Sequence, residues 1–196
     1  AAAGEHDPHV DVDDAAADTG VDLPLWQAFT GELGLAGVAI PEVNGGAGLG
    51  MVELAILAEE AGRNTTALPL LASLALAAPA ILAGGNDWQK ARLLPRLASG
   101  DLIASFAEAN SDGTFGNGTL TGAALHVPHG ASADLFVVAA RNGVAIVERD
   151  APGLSITPLT SMDQTRPYAR LDFGGVAVET LADPRAAVHA ALTTGW

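Results

Sequence analysis

Two histidines flank a proline just before an apolar strand, and residues of these types at this spacing can do chemistry. His126, Pro128 and His129 lie within four residues of each other, and the apolar run 135–138 follows. An imidazole can donate or accept a hydrogen bond, whereas a proline has no backbone N–H to donate. The two histidines therefore either belong to a binding site or decorate a solvated loop.

Other reactive patterns are missing from the sequence. There is no cysteine, which excludes disulfides, thiolate catalysis and cysteine metal sites, and the five histidines lack the paired spacing of a zinc site. His6 and His9 stand beside acidic residues and are best explained as part of a solvated tail. No Gly-x-Ser-x-Gly elbow supports a hydrolase, and NGGAGLG at 44–50 lacks the glycine order of a dinucleotide-binding turn. We therefore predict no metal site.

The charge of the chain limits its partners. Nine basic and 23 acidic residues give a net charge of −14, which repels nucleic acid and anionic membrane surfaces. No secretory signal is visible at the N-terminus, so the cytoplasm is the expected location. The uncharged segment 67–85 has almost the length of a membrane span, but Pro69 and Pro79 interrupt it. We predict a buried helix pair there.

The hydrophobic pattern changes from helical to alternating near residue 100. The first 22 residues carry seven acids and no base and predict a flexible acidic tail. Helical spacing follows over 23–103, and short strands separated by Gly, Asn, Asp or Pro follow over 104–183. Residues 184–196 read as the start of another helix. The predicted class is α+β, with an all-helical N-terminal domain, an antiparallel middle β-barrel, and a C-terminal helical domain that is absent or only a stub.

The helix predicted over 50–63 has a mixed surface. We expect Glu59 and Glu60 to pair with Arg63, three or four residues away on the same helix. Trp26 and Trp88 are expected to be packing residues. The apolar positions of this helix are expected to face inward, and they are Val52, Leu54, Ala55, Ile56, Leu57 and Ala61.

Six motifs in fixed order resemble the acyl-CoA dehydrogenase family. The segment LGLAGVAIPEVNGGAGLG at 33–50 is similar to that family's glycine-rich loop, and ELAILAEEAGR at 53–63 to the helix after it. The segment at 90–112, KARLLPRLASGDLIASFAEANSD, is similar to a helix that leads into the first flavin-contacting strand. GASADLFVVAA, DAPGLSITPL and YARLDFGGVAV follow in the family's order.

The resemblance implies FAD-dependent α,β-dehydrogenation of an acyl-CoA thioester. In the family a carboxylate removes the α-proton while the β-hydride passes to the flavin. That base is a glutamate of the C-terminal helical domain, so no catalytic residue of this chain can be assigned. A steroid side-chain CoA in β-oxidation is one candidate substrate.

Departures from the family pattern fall where the flavin ring would lie. In the family, Thr-Glu-Pro is followed by a short turn and then by Ser-Asp. Here Ala-Glu-Ala at 107–109 stands for Thr-Glu-Pro, Asn110 stands for the turn, and Ser-Asp at 111–112 is kept. The usual Trp-Ile-Thr-Asn/Ser-Gly becomes His-Val-Pro-His-Gly at 126–130, so an indole and a hydroxyl are lost. Asp163 and Arg166 form either a local ion pair or a contact to a flavin or CoA phosphate. The implied flavin contacts are Phe106, Ala107, Glu108, Ser111, His126, Val127, Pro128 and His129.

Two accounts fit these departures. In the first, His126 or His129 replaces the lost donors and FAD still binds to this chain. In the second, which we favour, the half-site has decayed and a homologous acyl-CoA dehydrogenase subunit carries the working flavin. The family includes heteromeric enzymes of actinobacterial sterol side-chain degradation with fewer flavins than subunits. The chain is therefore expected to be a hetero-oligomer subunit, either catalytic or a flavin-free structural one.

Overall fold

The computed structural model describes residues 20–194, and the acidic segment 1–19 with its His6 and His9 lies outside them. Helices occupy the first part and strands the second, which confirms the α+β class. The helices are α1 (Leu23–Gln27), α2 (Met51–Arg63), α3 (Ala78–Gly84), α4 (Asp87–Ser99) and α5 (Pro184–Thr194), with π-helical segments at Ala28–Glu32 and Leu70–Ala77 and 3-10 turns at Leu35–Gly37 and Glu42–Asn44.

Polar caps fix where α1 and α4 begin. Asp22 accepts a hydrogen bond from the N–H of Leu25 at 2.9 Å, and Pro24 occupies the first turn, where no N–H is needed. Asn86 and Gln89 form a reciprocal capping box at the start of α4, and Gly100 ends this helix with a left-handed φ of 79°. Local residues therefore set both ends of α4.

Helix α2 does not bury the face that the sequence predicts. Leu54 is its buried residue, whereas Val52 is 70% exposed and Ile56 is 55% exposed. The prediction that both face inward is wrong, because little of the described chain packs beside the helix. Arg63 does pair with Glu59 at 2.5 Å and with Glu60 at 3.6 Å.

Within the apolar segment 67–85, residues 70–84 form one continuous helical run rather than the predicted helix pair. The π-helical turns Leu70–Ala77 pass directly into α3, and most of their side chains are buried, as predicted. Pro79 lies inside this run and has no N–H to donate, so one backbone hydrogen bond of the run is missing there. Within residues 20–194, no helix has both the length and the apolar composition needed to cross a membrane.

The strands form two four-stranded sheets. Sheet one has the order β1-β4-β5-β8, and sheet two has the order β2-β3-β7-β6. The pairs are antiparallel except for β1 with β4, which is parallel, so the expected antiparallel-rich character is confirmed. Among the described strands, no ladder closes the two sheets into a ring. The bounds are β1 Ala104–Glu108, β2 Thr114–Gly116, β3 Thr119–Pro128, β4 Leu135–Ala140, β5 Gly143–Glu148, β6 Leu154–Leu159, β7 Tyr168–Ala177 and β8 Glu179–Thr180.

Both apolar cores contain helix and strand residues. In one core Trp26 and Leu74 join Phe136 and Leu171, and in the other Ile81 and Leu97 join Val137 and Ile146. The predicted packing role of Trp26 is thus confirmed, since it is 3% exposed and stacks on Phe29. Because every core is shared, the helices are held rigidly against the strands.

An ion-pair cluster on Arg92 of α4 fastens the helices to the first sheet. Its guanidinium contacts Glu148 at 3.1 Å and Glu179 at 2.7 Å. The ring of Trp88 lies under the same guanidinium, 4.7 Å from ring centroid to Cζ. Trp88 is 62% exposed, so the prediction that it packs in the interior is wrong. Its ring covers the cation instead.

A glycine lets α3 and α5 approach closely. A Cβ on Gly84 would lie 2.6 Å from the Cβ of Ala187 and 2.6 Å from the carbonyl oxygen of Asp183. The carbonyl of Gly84 also accepts a hydrogen bond from the N–H of Asp183 at 2.9 Å. This contact fixes the direction in which α5 leaves the last strand.

We predict opposite effects for one substitution at two helical glycines. Gly84→Ala should lower the free energy of unfolding by about 1 to 3 kcal/mol, because its methyl group overlaps Ala187. Gly62→Ala should raise it by roughly 0.5 to 1 kcal/mol, because a Cβ there meets nothing within 4 Å. Urea unfolding followed by circular dichroism measures both. Equal effects at the two positions would show that the α3–α5 contact is not tight.

Candidate functional site

Strands β1 and β3 bring the two predicted contact segments together. Ala109 forms a bridge with Ala124, and the hydroxyl of Ser105 donates to the carbonyl of Pro128 at 2.6 Å. These two links are four residues apart on each strand, so residues 106–108 run alongside 125–127. Segments that lie apart in sequence therefore form one surface.

Both histidines have left-handed backbone conformations. The register of β3 against β7 shifts between Ala124 and Val127, and this bulge contains His126 at φ 56°. His129 has φ 50° in the turn that follows β3. Residues other than glycine seldom adopt such angles, and bulges re-aim side chains next to sites. The backbone thus directs the two rings differently.

A cleft of about 580 Å³ lies between α2 and the end of β3. Its wall on α2 consists mainly of small residues, with Ala55, Ala58 and Gly62 on one helical face. Met51, Leu70 and Leu71 add apolar surface. The volume is in the range of small-molecule sites, which are mostly apolar with few polar groups.

The polar end of the cleft consists of Pro128, His129, Arg166 and Tyr168, with Thr193 of α5 nearby. Among the described residues that line the cleft, Arg166 is the charged one and none is Asp or Glu. In a chain with a net charge of −14, this is a locally positive end. It favours a ligand that presents oxygen atoms.

His129 is buried without partners for its ring. The residue lines the cleft and is 3% exposed, and within residues 20–194 its Nδ1 and Nε2 both lack a hydrogen-bond partner. Buried polar atoms are normally paired, so this unpaired imidazole is an unusual feature of the fold. Both nitrogens are also closed off from the surface of the cleft.

Burial keeps the His129 imidazole neutral. Desolvation, with a smaller contribution from the nearby charge of Arg166, lowers the pKa of His129 from 6.5 to about 4. A neutral imidazole offers one N–H donor and one acceptor nitrogen. At neutral pH the ring can therefore both give and receive a hydrogen bond.

His126 has a different environment from His129. It is exposed, and its ring meets Tyr168 edge-on with 6.3 Å between ring centroids. Tyr168 itself lines the cleft, so the Tyr168 side chain stands between His126 and the cleft. The sequence alone does not distinguish the two histidines, whereas their different burial in the structure does.

The remaining predicted contact residues are divided between core and surface. Phe106, Ala107 and Val127 are buried in the apolar cores. Glu108 and Ser111 are exposed on and after the end of β1. Their neighbours' backbone donors are already engaged, since the N–H of Ala109 bonds Ala139 and that of Asn110 bonds Ala123.

The loop between β6 and β7 holds the expected ion pair. Arg166 contacts Asp163 at 3.6 Å, which is consistent with the local reading of this pair. The Thr165 hydroxyl donates to Asp163 at 2.6 Å and lowers the pKa of that carboxyl. Arg166 also lines the cleft, so the part of its side chain that does not contact Asp163 is available to a ligand.

Sequence reasoning missed two parts of this site. It assigned no role to Tyr168, and it placed the apolar side of α2 in the core rather than along a cleft. The small residues Ala55, Ala58 and Gly62 at helical spacing were an available signal. Within residues 20–194 there is no cluster of three His, Asp or Glu side chains able to hold a metal ion.

Helices packed on two sheets, with an apolar cleft that has a polar end, form the kind of concave surface in which small-molecule sites occur. Comparison with known proteins makes this specific. Residues 1–101 match the family model described as acyl-CoA dehydrogenase, N-terminal domain. The chain belongs to the acyl-CoA dehydrogenase family.

Individual relatives agree with this assignment. The chain is 32% identical over 159 residues to acyl-CoA dehydrogenase FadE12 of Mycobacterium tuberculosis, covering 69% of this chain and 41% of the relative. It therefore spans about two fifths of the length of that protein.

Solved structures share the fold. The Tcur3481-Tcur3483 steroid ACAD superposes with a TM-score of 0.78 at 29% identity, covering 89% of this chain and 51% of that one. The ChsE4-ChsE5 complex of Mycobacterium tuberculosis superposes with a TM-score of 0.77 at 26% identity, covering 87% of this chain and 50% of that one. An acyl-CoA dehydrogenase of Bacillus anthracis complexed with FAD superposes with a TM-score of 0.72 at 26% identity, covering 87% of this chain and 34% of that one.

The cleft fits a flavin ring in part. The charge of Arg166 at the polar end suits a planar ring edged with oxygen atoms, whereas the ring nitrogens of His129 are closed off from the cleft. Pro128 offers no donor, and its carbonyl already accepts from Ser105. The residues that would hold the group are thus at the His129 end of the cleft.

We predict that His129 makes stability depend on pH. Its lowered pKa means that the folded protein binds fewer protons than the unfolded chain between about pH 4 and 6.5, so stability falls as pH falls through this window. His129→Asn, which tolerates the left-handed backbone, should remove up to about 3 kcal/mol of this loss. Urea unfolding at several pH values measures the difference.

The matched control is His126→Asn, because His126 also has a left-handed backbone but is exposed. It separates the loss of a buried imidazole from the change of side chain at a left-handed position. Equal slopes for the wild type and His129→Asn would mean that His129 is solvated.

Proposed function

We propose that this chain is part of a subunit of an FAD-dependent acyl-CoA dehydrogenase that oxidises an acyl-CoA thioester in β-oxidation. The observation that carries the proposal is the cleft of about 580 Å³ with the unpartnered His129 at its polar end. Of the eight implied flavin contacts, Pro128 and His129 line this cleft, at the end of β3. Family membership supports the reaction class.

When bound, FAD would accept the hydride that leaves the β-carbon of the acyl group. The described residues would bind the reactants and exclude water. Apolar side chains of α2 and of Leu70–Ala77 would cover the non-polar parts, and Arg166 would attract an oxygen-rich end. No carboxylate lines the described cleft, so we propose that the α-proton is removed by a residue elsewhere in the complete enzyme.

For the substrate, we propose a bulky acyl group such as a steroid side-chain CoA. The α2 wall is made of Ala55, Ala58 and Gly62, which leaves width for a rigid ring system. The structural similarity to the Tcur3481-Tcur3483 steroid ACAD supports the same class.

For the partner, we propose a homologous acyl-CoA dehydrogenase subunit in a hetero-oligomer, for instance a heterotetramer. Val43 is 89% exposed and Ile56 55%, and we assign these large apolar side chains to the contact with that subunit. The similarity to the ChsE4-ChsE5 complex supports a two-chain enzyme.

A second candidate is a flavin-free subunit that completes the partner's active site. It is favoured by the buried Ala107 and by Pro128, neither of which has a side-chain donor. The N–H groups of His129 and Gly130 also donate within the chain, to Pro167 and Val127. The eight flavin contacts, the domain bounds 23–103 and 104–183, and the cytoplasmic location stay predictions.

Co-expression with a homologous acyl-CoA dehydrogenase subunit tests the proposal. We expect a stable complex that contains FAD and reduces an artificial electron acceptor when an acyl-CoA is added. Native mass spectrometry gives the chain ratio, and absorbance after denaturation gives the number of flavins per complex. The partner expressed alone is the control for flavin that does not depend on this chain.

Each outcome selects one account. Flavin that is lost when this chain is omitted supports the proposed role. Full flavin and turnover in a complex in which the residues of this cleft are replaced supports the flavin-free candidate. A monodisperse monomer of 19.7 kDa that carries flavin would overturn the proposed partner.

A further inference from the structure

The acidic segment 1–19 joins the described chain beside the polar end of the cleft. A Cβ on Gly20 would overlap the ring of Pro167, so these two residues are in close contact. Pro167 stands between Arg166 and Tyr168, which both line the cleft. The chain therefore enters the fold next to the charged end of the cleft.

Burial and a hydrogen bond hold this entry point in place. Val21 is fully buried and belongs to the same core as Trp26. The N–H of Asp22 donates to the carbonyl of Ala67 at 2.9 Å, and the residues on either side of Ala67 line the cleft. The segment that precedes Gly20 thus starts from a fixed point at the cleft.

The charge of this segment is opposite to that of the polar end of the cleft. Residues 1–19 include six acidic residues and neither Lys nor Arg. Arg166 is half-exposed, and its contact with Asp163 is 3.6 Å long. Arg63 at the end of α2 already pairs with two glutamates of its own helix. Arg166 is therefore the partner that we expect for these carboxylates, because opposite charges held close together attract.

Apolar residues alternate with the acids in this segment. Val10 and Val12 flank Asp11, and residues 15–17 are all alanine. The cleft is likewise mainly apolar, with small side chains on its α2 wall and leucines on the helical run opposite. A segment that presents both carboxylates and small apolar side chains matches both parts of this surface.

The segment is long enough to cross the cleft. The α2 residues that line it extend from Met51 to Gly62, which is about 17 Å at about 1.5 Å per residue. Ten residues before Gly20 span up to about 33 Å at about 3.3 Å per residue. A short tether also raises the effective concentration of the segment at the cleft into the millimolar range, so that a weak attraction suffices.

We propose that residues 10–18 lie across the polar end of the cleft of their own chain, with their carboxylates next to Arg166. The segment is then an internal competitor of any oxygen-rich ligand that uses this arginine. The contact forms in the chain without a ligand, so it stands independently of the proposed function.

A spin label on the segment tests this contact in the whole chain of 196 residues. Because the chain has no cysteine, His9→Cys provides a single attachment site for a nitroxide. The nitroxide broadens NMR signals of nuclei close to it, so we expect the amide signals of Ala58 and Tyr168 in the cleft to weaken. The indole signal of Trp88, which does not line the cleft, is the reference.

Charge variants of the labelled chain distinguish docking from simple proximity. Arg166→Gln should reduce the broadening in the cleft by about twofold or more, as for the loss of a partly exposed ion pair. The combined substitutions Asp11→Asn, Asp13→Asn and Asp14→Asn should have the same effect. Arg141→Gln is the matched control, because Arg141 is exposed and does not line the cleft, and it should leave the broadening unchanged.

The remaining outcomes contradict the proposal. Equal broadening in the labelled chain and in both charge variants would mean that the segment is only tethered nearby. A mixture of spin-labelled chain with 15N-labelled chain that lacks the nitroxide shows whether the segment binds another copy, and broadening of the cleft signals there would overturn the contact within one chain. Circular dichroism verifies folding, and since the two charge variants change different parts of the chain, a folding defect in one leaves the other to decide.

Discussion

The packing of the apolar run 70–84 against the first strand is the constraint on which the remaining structure depends. The hydroxyl of Ser73 accepts the N–H of Ala104 at 3.2 Å, in a fully buried contact between helix and strand. On its other side β1 contacts β3, and β3 ends at His129. The position of the helical run therefore fixes the floor of the cleft and the residue at its polar end.

The fold carries a cost to its stability at His129. An apolar residue there would avoid two unpaired nitrogens and the loss of stability on acidification. The turn nevertheless holds the imidazole in place with four backbone hydrogen bonds. Strain and unpaired polar groups of this kind gather at functional sites, where the surrounding fold supports them.

Helix α2 also carries apolar side chains that the described chain leaves exposed. It touches the body mainly through Leu54, and its small residues and Val52 line the cleft while Ile56 faces outward. A helix with apolar residues on several sides is built for more than one contact surface. One surface faces the proposed ligand, and another fits the proposed homologous subunit.

Periodicity and turn residues in the sequence determined the α+β class, the change from helices to short strands near residue 100 and the Arg63 ion pairs, because these depend on local spacing. The sequence could not distinguish His126 from His129, since they differ through a bulge in β3 and through contacts with Pro167 and Arg166. It also misplaced Val52, Ile56 and Trp88, because an amphipathic pattern shows which side is apolar but not what covers it. Burial, the parallel pairing of β1 with β4 and the cleft itself arise from segments far apart in the chain, and therefore only the tertiary structure decided them.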